Sequence, residues 1–343
     1  MKAFVKTGSR PGEAGVEEVP VGRPGPGEVS LRVASCGICG SDVHALRADA
    51  GFEWVRPPIT LGHEFSGTVE SVGPEVTRVS RGDRVVAVAI QGCGRCEVCL
   101  AGSTQLCPDR VAVGLSRDGG MAEYAVMPEQ HLVFVPEELD LAVAALGEPL
   151  SVAVHAVNVR SDVLQPGQRV VVSGPGPIGI FCGMLAKLRG AEVLLTGVGQ
   201  DSESRLPAAE RVGLRTANLG EKPLEEHLSD SFENHAPDVW IESSGSVRAL
   251  GSALESVRPG GTVVVVGLYA EELRFSPTGA VRREISLLFS YSCNYADYQE
   301  ALELLGSGAL DPGPLLSQYP LEDAPEAFEA VSRGRAVKAI LVP

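Results

Sequence analysis

Four of the eight cysteines in this 343-residue chain lie close together in sequence. They are Cys93, Cys96, Cys99 and Cys107, two C-x-x-C spacings followed by a fourth cysteine after a seven-residue gap. Such spacings let neighbouring thiolates turn onto one Zn²⁺ ion, and the loop brings the fourth thiolate round to complete a tetrahedron. Because all four ligands are protein atoms, we expect this zinc to be structural. A disulfide framework would need an oxidising compartment, and an iron–sulfur cluster stays open as an alternative.

A second set of metal-binding residue types is scattered along the chain. Cys39 is an isolated thiol in a glycine-rich turn, His63 and Glu64 are adjacent, and Glu148 lies where the two halves of the chain meet. A cysteine, a histidine and a glutamate suit a Zn²⁺ ion that keeps one coordination position open for a substrate. The residue types alone also allow a simpler interpretation, in which the imidazole and carboxylates are solvated and the thiol belongs to a core.

A glycine-rich stretch between two apolar runs has the spacing of a phosphate-binding loop. Residues 173–179 have the sequence Ser-Gly-Pro-Gly-Pro-Ile-Gly, after a strand-like run and before a helix-like run. In such a βαβ unit the first glycine permits a tight turn, the second lets a pyrophosphate approach, and the third lets helix and strand pack. An ordinary glycine-rich loop of an α/β core is the alternative. The predicted cofactor contacts are Gly174, Gly176, Pro177, Ile178, Gly179 and, at the end of a later strand, Gly267.

The elements that must hold these residues change in kind near residue 150. Before it, alternating runs such as 28–36 predict short β-strands. After it, apolar runs such as 262–267 alternate with helical segments, a pattern typical of a doubly wound parallel sheet. We therefore predict an α/β protein with a β-rich domain, a dinucleotide-binding domain and a C-terminal return to the first domain. The predicted bounds are 1–149, 150–290 and 291–343.

Composition limits the possible functions. The net charge of −15 argues against a nucleic-acid partner, because the phosphates would be repelled. A hydrophobic content of 44% with 21% charged residues is that of a soluble globular protein. The chain shows neither a leader-like start nor an apolar run of membrane-spanning length. We expect a cytoplasmic protein with a small-molecule substrate and no membrane partner.

The motifs occur in one order and at characteristic distances over nearly the whole chain. They resemble those of the medium-chain zinc-dependent alcohol dehydrogenases. Glu148 stands where other members carry a cysteine ligand, which is a feature of the sorbitol and threonine dehydrogenase branch. The resemblance implies a GroES-like, β-rich catalytic domain and a Rossmann domain inserted before the C-terminal tail. The segments that carry it are Cys39–His44, Gly62–Glu64, Cys93–Cys107, Gly147–Leu150 and Gly174–Gly179.

The resemblance also implies roles for individual residues. Cys39 and His63 match ligands of a catalytic zinc, which would be the second zinc ion of the chain. Glu64 and Glu148 match carboxylates that contact this metal directly or through water. The cofactor would be NAD or NADP, and the substrate an alcohol or ketone.

Three residues of one segment match the proton-handling groups of the family. Asp42 resembles the carboxylate that hydrogen-bonds the histidine ligand and holds its tautomer. Ser41 resembles the hydroxyl that receives the substrate proton, and His44 the group that passes this proton to solvent. The expected reaction is hydride transfer between a secondary alcohol or polyol and the nicotinamide.

Two departures from the family pattern bear on specificity. Gly197 stands where NAD-specific relatives commonly have a carboxylate for the ribose hydroxyls. Asp201 and Glu203 follow in a longer turn, and Arg205 is also near, so the choice between NAD and NADP stays open. Ser290 replaces an arginine of the sorbitol dehydrogenases, which favours another polyol, a secondary alcohol or a sugar derivative. The segment 52–55 is a candidate wall of the substrate pocket.

Two further expectations complete the prediction. The alternative function is that of superfamily members without catalytic zinc, which are quinone or enoyl reductases or non-catalytic nucleotide-binding proteins. The resemblance also implies a homodimer or homotetramer. We expect the last Rossmann strand, near 287–289, to pair with its two-fold mate, because an unpaired apolar edge would favour aggregation.

Overall fold

The computed structural model describes residues 1–159 and 164–343, which form two compact units. The first unit combines Met1–Ser151 with Ser292–Pro343, and the second is Val152–Tyr291. Within the described ranges, none of the helices combines the length and the apolar character needed to cross a bilayer.

The N-terminal part of the first unit consists mostly of short strands. Its strands are β1 (Lys2–Lys6), β2 (Ala14–Glu18), β3 (Glu28–Gly37), β4 (Ile59–Thr60), β5 (Glu64–Val72), β6 (Arg84–Ala87), β7 (Ile90–Gln91), β8 (Val111–Ala112), β9 (Tyr124–Pro128) and β10 (Leu132–Phe134). The helices up to residue 154 are α1 (Gly40–Arg47), α2 (Glu97–Leu100), α3 (Leu141–Ala144) and α4 (Gly147–Val154). Side chains on β9 alternate between buried and half-buried positions, as expected for a strand with one face on a core.

The second unit is a parallel sheet flanked by helices. Its strands are β11 (Arg169–Ser173), β12 (Glu192–Gly197), β13 (Arg215–Asn218), β14 (Val239–Glu242), β15 (Thr262–Val265) and β16 (Ser286–Phe289). Its helices are α5 (Pro177–Leu188), α6 (Arg205–Arg211), α7 (Leu224–Phe232), α8 (Val247–Ser256) and α9 (Pro277–Arg282). The strand order is β13-β12-β11-β14-β15-β16, with every neighbouring pair parallel. Order therefore reverses between β11 and β14, which is the switch point of a doubly wound sheet.

The C-terminal segment returns to the first unit. It contains α10 (Tyr295–Gly306), β17 (Leu316–Pro320), α11 (Ala324–Ser332) and β18 (Lys338–Val342). The main sheet has the order β10-β6-β5-β3-β18-β17, and β9 also pairs with β3. Because Leu341 of β18 lies opposite Cys36 of β3, the last strand runs beside the segment that leads to Cys39. Sequence-distant residues thereby meet at one end of this sheet.

Each unit has its own hydrophobic core. The first core is filled by buried strands and by a pair of aromatic rings, Phe4 and Phe328, whose centroids are 5.0 Å apart. The second core is built on the apolar central strands, with Trp240 almost completely buried among them. The runs Val170–Val172 and Val263–Val265 are buried throughout, because helices cover both faces of a parallel sheet. The predicted α/β class, a β-rich domain plus a doubly wound sheet, is confirmed.

Candidate metal centres and cofactor loop

Three ligand-type side chains converge in the first unit. The Sγ of Cys39, a ring nitrogen of His63 and a carboxylate oxygen of Glu64 all lie within 4.8 Å of one another. Cys39 immediately precedes α1, His63 immediately precedes β5, and Glu64 is the first residue of β5. Glu64 pairs with Gly37 at the end of β3, so strand pairing brings the two segments together.

The imidazole of His63 is oriented by two neighbours on α1. Its Nε2 lies 3.4 Å from the Oγ of Ser41, whereas its Nδ1 faces the Oδ1 of Asp42 at 3.5 Å. Both Nδ1 and Oδ1 are buried, and neither has a hydrogen-bond partner among the described residues. A metal ion on Nε2 would leave the ring proton on Nδ1, where Asp42 is placed to accept it. The donor set and this orphaned pair therefore fit a zinc ion.

The surroundings of His63 are electronegative. Burial would lower the pKa of His63, but the charges of Asp42 and Cys39 outweigh burial and raise that pKa well above its usual range. The other oxygen of Asp42 accepts a hydrogen bond from the backbone N–H of Cys39 at 2.9 Å, which fixes the carboxylate in place. A pocket that favours positive charge in this way is suited to a cation.

Glu64 has a partner that the sequence motifs did not indicate. The Nζ of Lys338 donates hydrogen bonds to both carboxylate oxygens of Glu64, at 2.7 and 2.5 Å, and to the carbonyl of Ile38 at 3.1 Å. Burial would lower the pKa of Lys338, but the charge of Glu64 outweighs burial and raises it. The sequence indicates this pair only weakly, because Lys338 is the first residue of an otherwise apolar C-terminal strand.

Glu148 lies in the first turn of α4 and is also buried. Burial raises its pKa to about 7, and the nearby charge of His63 partly opposes that rise. Its carboxylate is not among the three ligand groups that lie within 4.8 Å of one another in the described part of the chain. The structure thus places Glu148 near the candidate metal centre, outside the compact group formed by Cys39, His63 and Glu64.

The predicted proton relay runs from Ser41 to His44 on α1. His44 is about half exposed, and its Nδ1 lies 2.7 Å from the Oδ2 of Asp49. Its ring stacks on Phe52, with centroids 5.4 Å apart, and Phe52 stacks in turn on Trp54. The segment proposed as a pocket wall is therefore connected to the outer end of the predicted relay.

The four clustered cysteines form a second compact group. Their Sγ atoms all lie within 4.8 Å of one another. The backbone N–H of Arg95 is the main cause that lowers the pKa of Cys93 to about 6, so this thiol is readily ionised as a metal ligand must be. A side chain at Gly92 would meet the Sγ of Cys99 at 2.7 Å, which shows how tightly the lobe closes. The arrangement fits a closed zinc site.

We expect Cys96→Ala to lower the melting temperature by roughly 5–10 °C, because metal binding supplies folding energy to a lobe with little apolar content. Differential scanning calorimetry together with zinc analysis measures the effect. Ser103→Ala, in the same lobe but outside the ligand set, is the control and should change neither quantity. An unchanged melting temperature together with lost activity would contradict a structural role.

The glycine loop of the second unit has the shape of a phosphate cradle. Gly174 has a φ of +96°, and a Cβ there would meet Ser244 at 2.8 Å. A Cβ at Gly179 would lie 2.0 Å from the carbonyl oxygen of Gly174, so helix α5 packs directly on the turn. A Cβ at Gly176 would meet nothing within 4 Å, and this residue is the N-cap of α5. The open space at the helix N-terminus fits a pyrophosphate.

An ion pair between Asp201 and Arg205 follows the end of β12. The carboxylate of Asp201 is buried, accepts a hydrogen bond from the N–H of Val198 at 3.0 Å and lies 3.3 Å from the Nη1 of Arg205. A Cβ built on Gly197 would lie 3.1 Å from the same carboxylate. The carboxylate of Asp201 therefore lies next to the place that an aspartate or glutamate side chain at position 197 would occupy.

Gly267 lies beside a carboxylate that the sequence motifs did not indicate. Its N–H donates to the backbone carbonyl of Glu242 at 3.0 Å. A Cβ at Gly267 would meet the N–H nitrogen of Gly245 at 2.4 Å and the Oε2 of Glu242 at 2.8 Å. Glycine is required here because two loops at the carboxyl ends of the strands approach closely.

Comparisons with known proteins identify the family of this chain. Residues 25–137 match the alcohol dehydrogenase GroES-like domain, and residues 177–307 match the zinc-binding dehydrogenase family. A protein from Sinorhizobium meliloti 1021 described as a zinc-binding dehydrogenase, solved with NADP bound, superimposes with a TM-score of 0.91 at 31% identity. That match covers 100% of this chain and 99% of the other.

Two curated relatives extend the comparison. The sorbitol dehydrogenase of Halalkalibacterium halodurans is 35% identical over 347 residues, covering 100% of this chain and 99% of the relative. The L-threonine 3-dehydrogenase of Saccharopolyspora erythraea is 34% identical over 348 residues, covering 99% and 98%. With a GroES-like domain, a Rossmann-type sheet and relatives of this kind along its whole length, the chain belongs to the medium-chain zinc-dependent alcohol dehydrogenase family, in its sorbitol and threonine dehydrogenase branch.

Proposed function

We propose that this NAD(P)-dependent alcohol dehydrogenase oxidises a polyol or another secondary alcohol at the centre formed by Cys39, His63 and the two buried glutamates. The observation that carries the proposal is the convergence of Cys39, His63 and Glu64 in front of the buried carboxylate of Asp42. The test is a panel of polyols and secondary alcohols with NAD⁺ and NADP⁺, followed by absorbance of the reduced nicotinamide. No turnover with any of these alcohols by zinc-loaded protein would contradict the proposal.

The residues of the centre have different roles. Cys39, His63 and either Glu64 or Glu148 would hold the catalytic zinc, which when bound supplies Lewis-acid polarisation of the substrate oxygen. Asp42 fixes the tautomer of the ligating imidazole.

Two residues on α1 handle the proton of the alcohol. Ser41, whose Oγ lies beside the Nε2 of His63, accepts this proton from the substrate. His44, about half exposed, passes it to solvent. A bound nicotinamide cofactor would supply the redox chemistry, so the residues of this chain contribute orientation and proton transfer.

The site residues favour this function over that of a reductase without catalytic zinc. Quinone and enoyl reductases need no thiolate, imidazole and carboxylate within one pocket, whereas Cys39, His63 and Glu64 meet here. We therefore expect two zinc ions per chain, one at this centre and one in the cysteine lobe. Metal analysis of purified protein distinguishes the two functions, since a single zinc ion per chain would support the reductase.

The substrate is expected to differ from sorbitol. Ser290 stands where sorbitol dehydrogenases carry an arginine, and its Oγ is buried without a hydrogen-bond partner among the described residues. A serine is too short to reproduce the reach of a guanidinium towards a polyol hydroxyl. Another polyol, a simple secondary alcohol or a sugar derivative accordingly fits better, and sorbitol within the panel serves as the comparison.

Both cofactors should be accepted, because Gly197 carries no carboxylate, while Arg205 could pair with a 2′-phosphate and Asp201, 3.3 Å from it, could accept from the ribose hydroxyls. We expect Asp201→Asn to raise the ratio of kcat/KM for NADP⁺ over NAD⁺ by on the order of tenfold, since it frees the guanidinium for a 2′-phosphate. Gly197→Asp should lower the same ratio by charge repulsion. Asp230→Asn, which removes a carboxylate that pairs with Lys222 on the surface, is the control. A wild type that uses NAD⁺ alone would show that Asp201 or Glu203 already takes the role of the missing carboxylate.

The chain is expected to form a homodimer or homotetramer through β16. This strand is the edge of the parallel sheet, and Phe289 on it is 63% exposed, an unusual exposure for a large apolar side chain. Light scattering at micromolar concentration should give at least twice the mass of one chain. Phe289→Lys should shift the mass towards that of a monomer, and a monomeric wild type would contradict this assembly.

A cytoplasmic location is supported by the state of the thiols. All eight cysteines, each of which the structure describes, are free, and four of them form the cysteine lobe. Such a set of thiols persists in a reducing compartment. Fractionation of the native host cells would test the location.

A further inference from the structure

Glu242 lies at the carboxyl edge of the parallel sheet. It is the last residue of β14, and its register partner on β11 is Ser173, directly before the glycine loop. The gap between these two strands is where the strand order reverses. Dinucleotides bind in the crevice outside the carboxyl ends of strands at such a switch point. Glu242 therefore borders the expected cofactor site.

The carboxylate of Glu242 is completely buried, yet it is surrounded by donors. It accepts hydrogen bonds from the N–H of Ser244 at 2.7 Å, the N–H of Gly245 at 3.3 Å and the Oγ of Ser173 at 3.4 Å. The hydroxyls of Ser244 and Tyr269 donate to it as well. All five of these groups can donate, and such a set of partners suits an ionised carboxylate.

Among the residues that the structure describes, the neighbours of this carboxylate supply no compensating cation. In the described ranges 1–159 and 164–343, the ion pairs include none with Glu242. The Nε1 of Trp240 donates to the Oγ of Ser173 at 3.0 Å, so the hydroxyl hydrogen of Ser173 is left to point at Glu242. Glu242 thus keeps a net negative charge at the switch point, held by dipoles alone.

The same carboxylate fixes three loops at the carboxyl edge of the sheet. A Cβ at Gly245 would lie 2.3 Å from the carbonyl oxygen of Leu268, and a Cβ at Gly174 would lie 2.8 Å from Ser244. The segment after β14 is therefore wedged between the glycine loop and the loop after β15. Rigid loops hold the charge of Glu242 in a fixed place.

The half of the sheet that carries Glu242 is the one expected to take the nicotinamide. The two halves of a doubly wound sheet each bind one mononucleotide, and the glycine loop with β12 forms the adenosine side. The oxidised nicotinamide ring is a cation, whereas the reduced ring is neutral. We propose that Glu242 is a positioning residue whose unpaired charge favours binding of the oxidised cofactor over the reduced one; this rests on the proposed use of a nicotinamide cofactor.

The test is calorimetric titration of wild type and Glu242→Gln with NAD⁺, NADH, NADP⁺ and NADPH, without any turnover. We expect the variant to bind the oxidised forms about tenfold more weakly and the reduced forms within about twofold of wild type. Glu242→Asp retains the charge and should restore the preference for the oxidised form. Tyr269→Phe removes one hydrogen bond but keeps the charge, so both forms should change by the same factor.

A second pair of variants keeps the test decisive if Glu242→Gln does not fold. Ser244 is exposed, and Ser244→Lys places an ammonium within reach of Glu242 and should produce the same selective loss of oxidised cofactor. Ser244→Gln, of similar length without charge, should not. Equal weakening of oxidised and reduced forms by Glu242→Gln or Ser244→Lys overturns the role of Glu242 and leaves the proposed function intact. Wild-type protein that binds none of the four nucleotides overturns the proposed function itself.

Discussion

Cys39→Ser should abolish turnover and remove one zinc ion per chain, while the zinc of the cysteine lobe stays bound. The thiolate of Cys39 lies within 4.8 Å of the ligand atoms of His63 and Glu64, and a serine hydroxyl is a much poorer zinc ligand. Replacing residues that merely support a metal ligand costs about 10–100-fold, so loss of a ligand itself should cost more than about 100-fold in kcat/KM. Zinc analysis and steady-state kinetics measure the two effects.

The matched control is a thiol outside the candidate centre. Cys182→Ser changes a buried cysteine on α5 of the second unit and should leave both the zinc content and kcat/KM unchanged. Turnover close to wild type in Cys39→Ser would refute the assignment of the catalytic centre. Loss of both zinc ions would instead show that the variant disturbs the fold of the first unit, and His63→Ala would then be used to probe the centre.

Lys338→Met should destabilise the protein by about 3–5 kcal/mol, because it leaves the carboxylate of Glu64 buried without its partner. The side chains of Lys338 and Glu64 are 2% and 1% exposed, so solvent cannot replace the lost hydrogen bonds. Urea unfolding at neutral pH, followed by tryptophan fluorescence, gives the free energy. The double variant Glu64→Gln/Lys338→Met should recover part of the loss, since it removes both charges.

An exposed ion pair provides the control for this prediction. Lys2 pairs with Glu322, and both side chains are about half exposed. Lys2→Met should therefore change the free energy of unfolding far less than Lys338→Met does. If Lys338→Met lowers the free energy of unfolding no more than Lys2→Met does, water reaches Glu64. The buried ion pair would then contribute little to stability.

Local spacing was sufficient to predict the parts that act within one segment. The cysteine lobe follows from Cys93 to Cys107, because short loops bring their thiols together whatever the rest of the chain does. The glycine loop follows in the same way, since a strand, a turn and a helix are continuous in sequence. The family resemblance then gave roles to Ser41, Asp42 and His44, which remain predictions.

Partners distant in sequence could not be found in this way. Lys338 and Glu64 are 274 residues apart, and they meet only because β18 pairs with β3 and β3 pairs with β5. No local pattern encodes that register, since a strand shows its apolar face in its sequence but not its neighbour. The same holds for Glu148, whose distance from the compact ligand group is set by packing of α4.

The sequence by itself determined the family, and it predicted the cysteine lobe and the phosphate loop because each depends on residue types at fixed short spacing. The second set of candidate zinc ligands is scattered along the chain and was predicted through the family resemblance. Only the tertiary structure decided that Glu64 is paired with Lys338 and that the carboxylate of Asp201 lies beside Gly197. It also decided that Glu242 is buried with no cationic partner in the described part of the chain. These facts depend on which strands lie side by side and which loops close over their ends. Burial then decides how strongly these contacts affect stability. A charge that is shielded from water must be compensated by the groups that packing places around it.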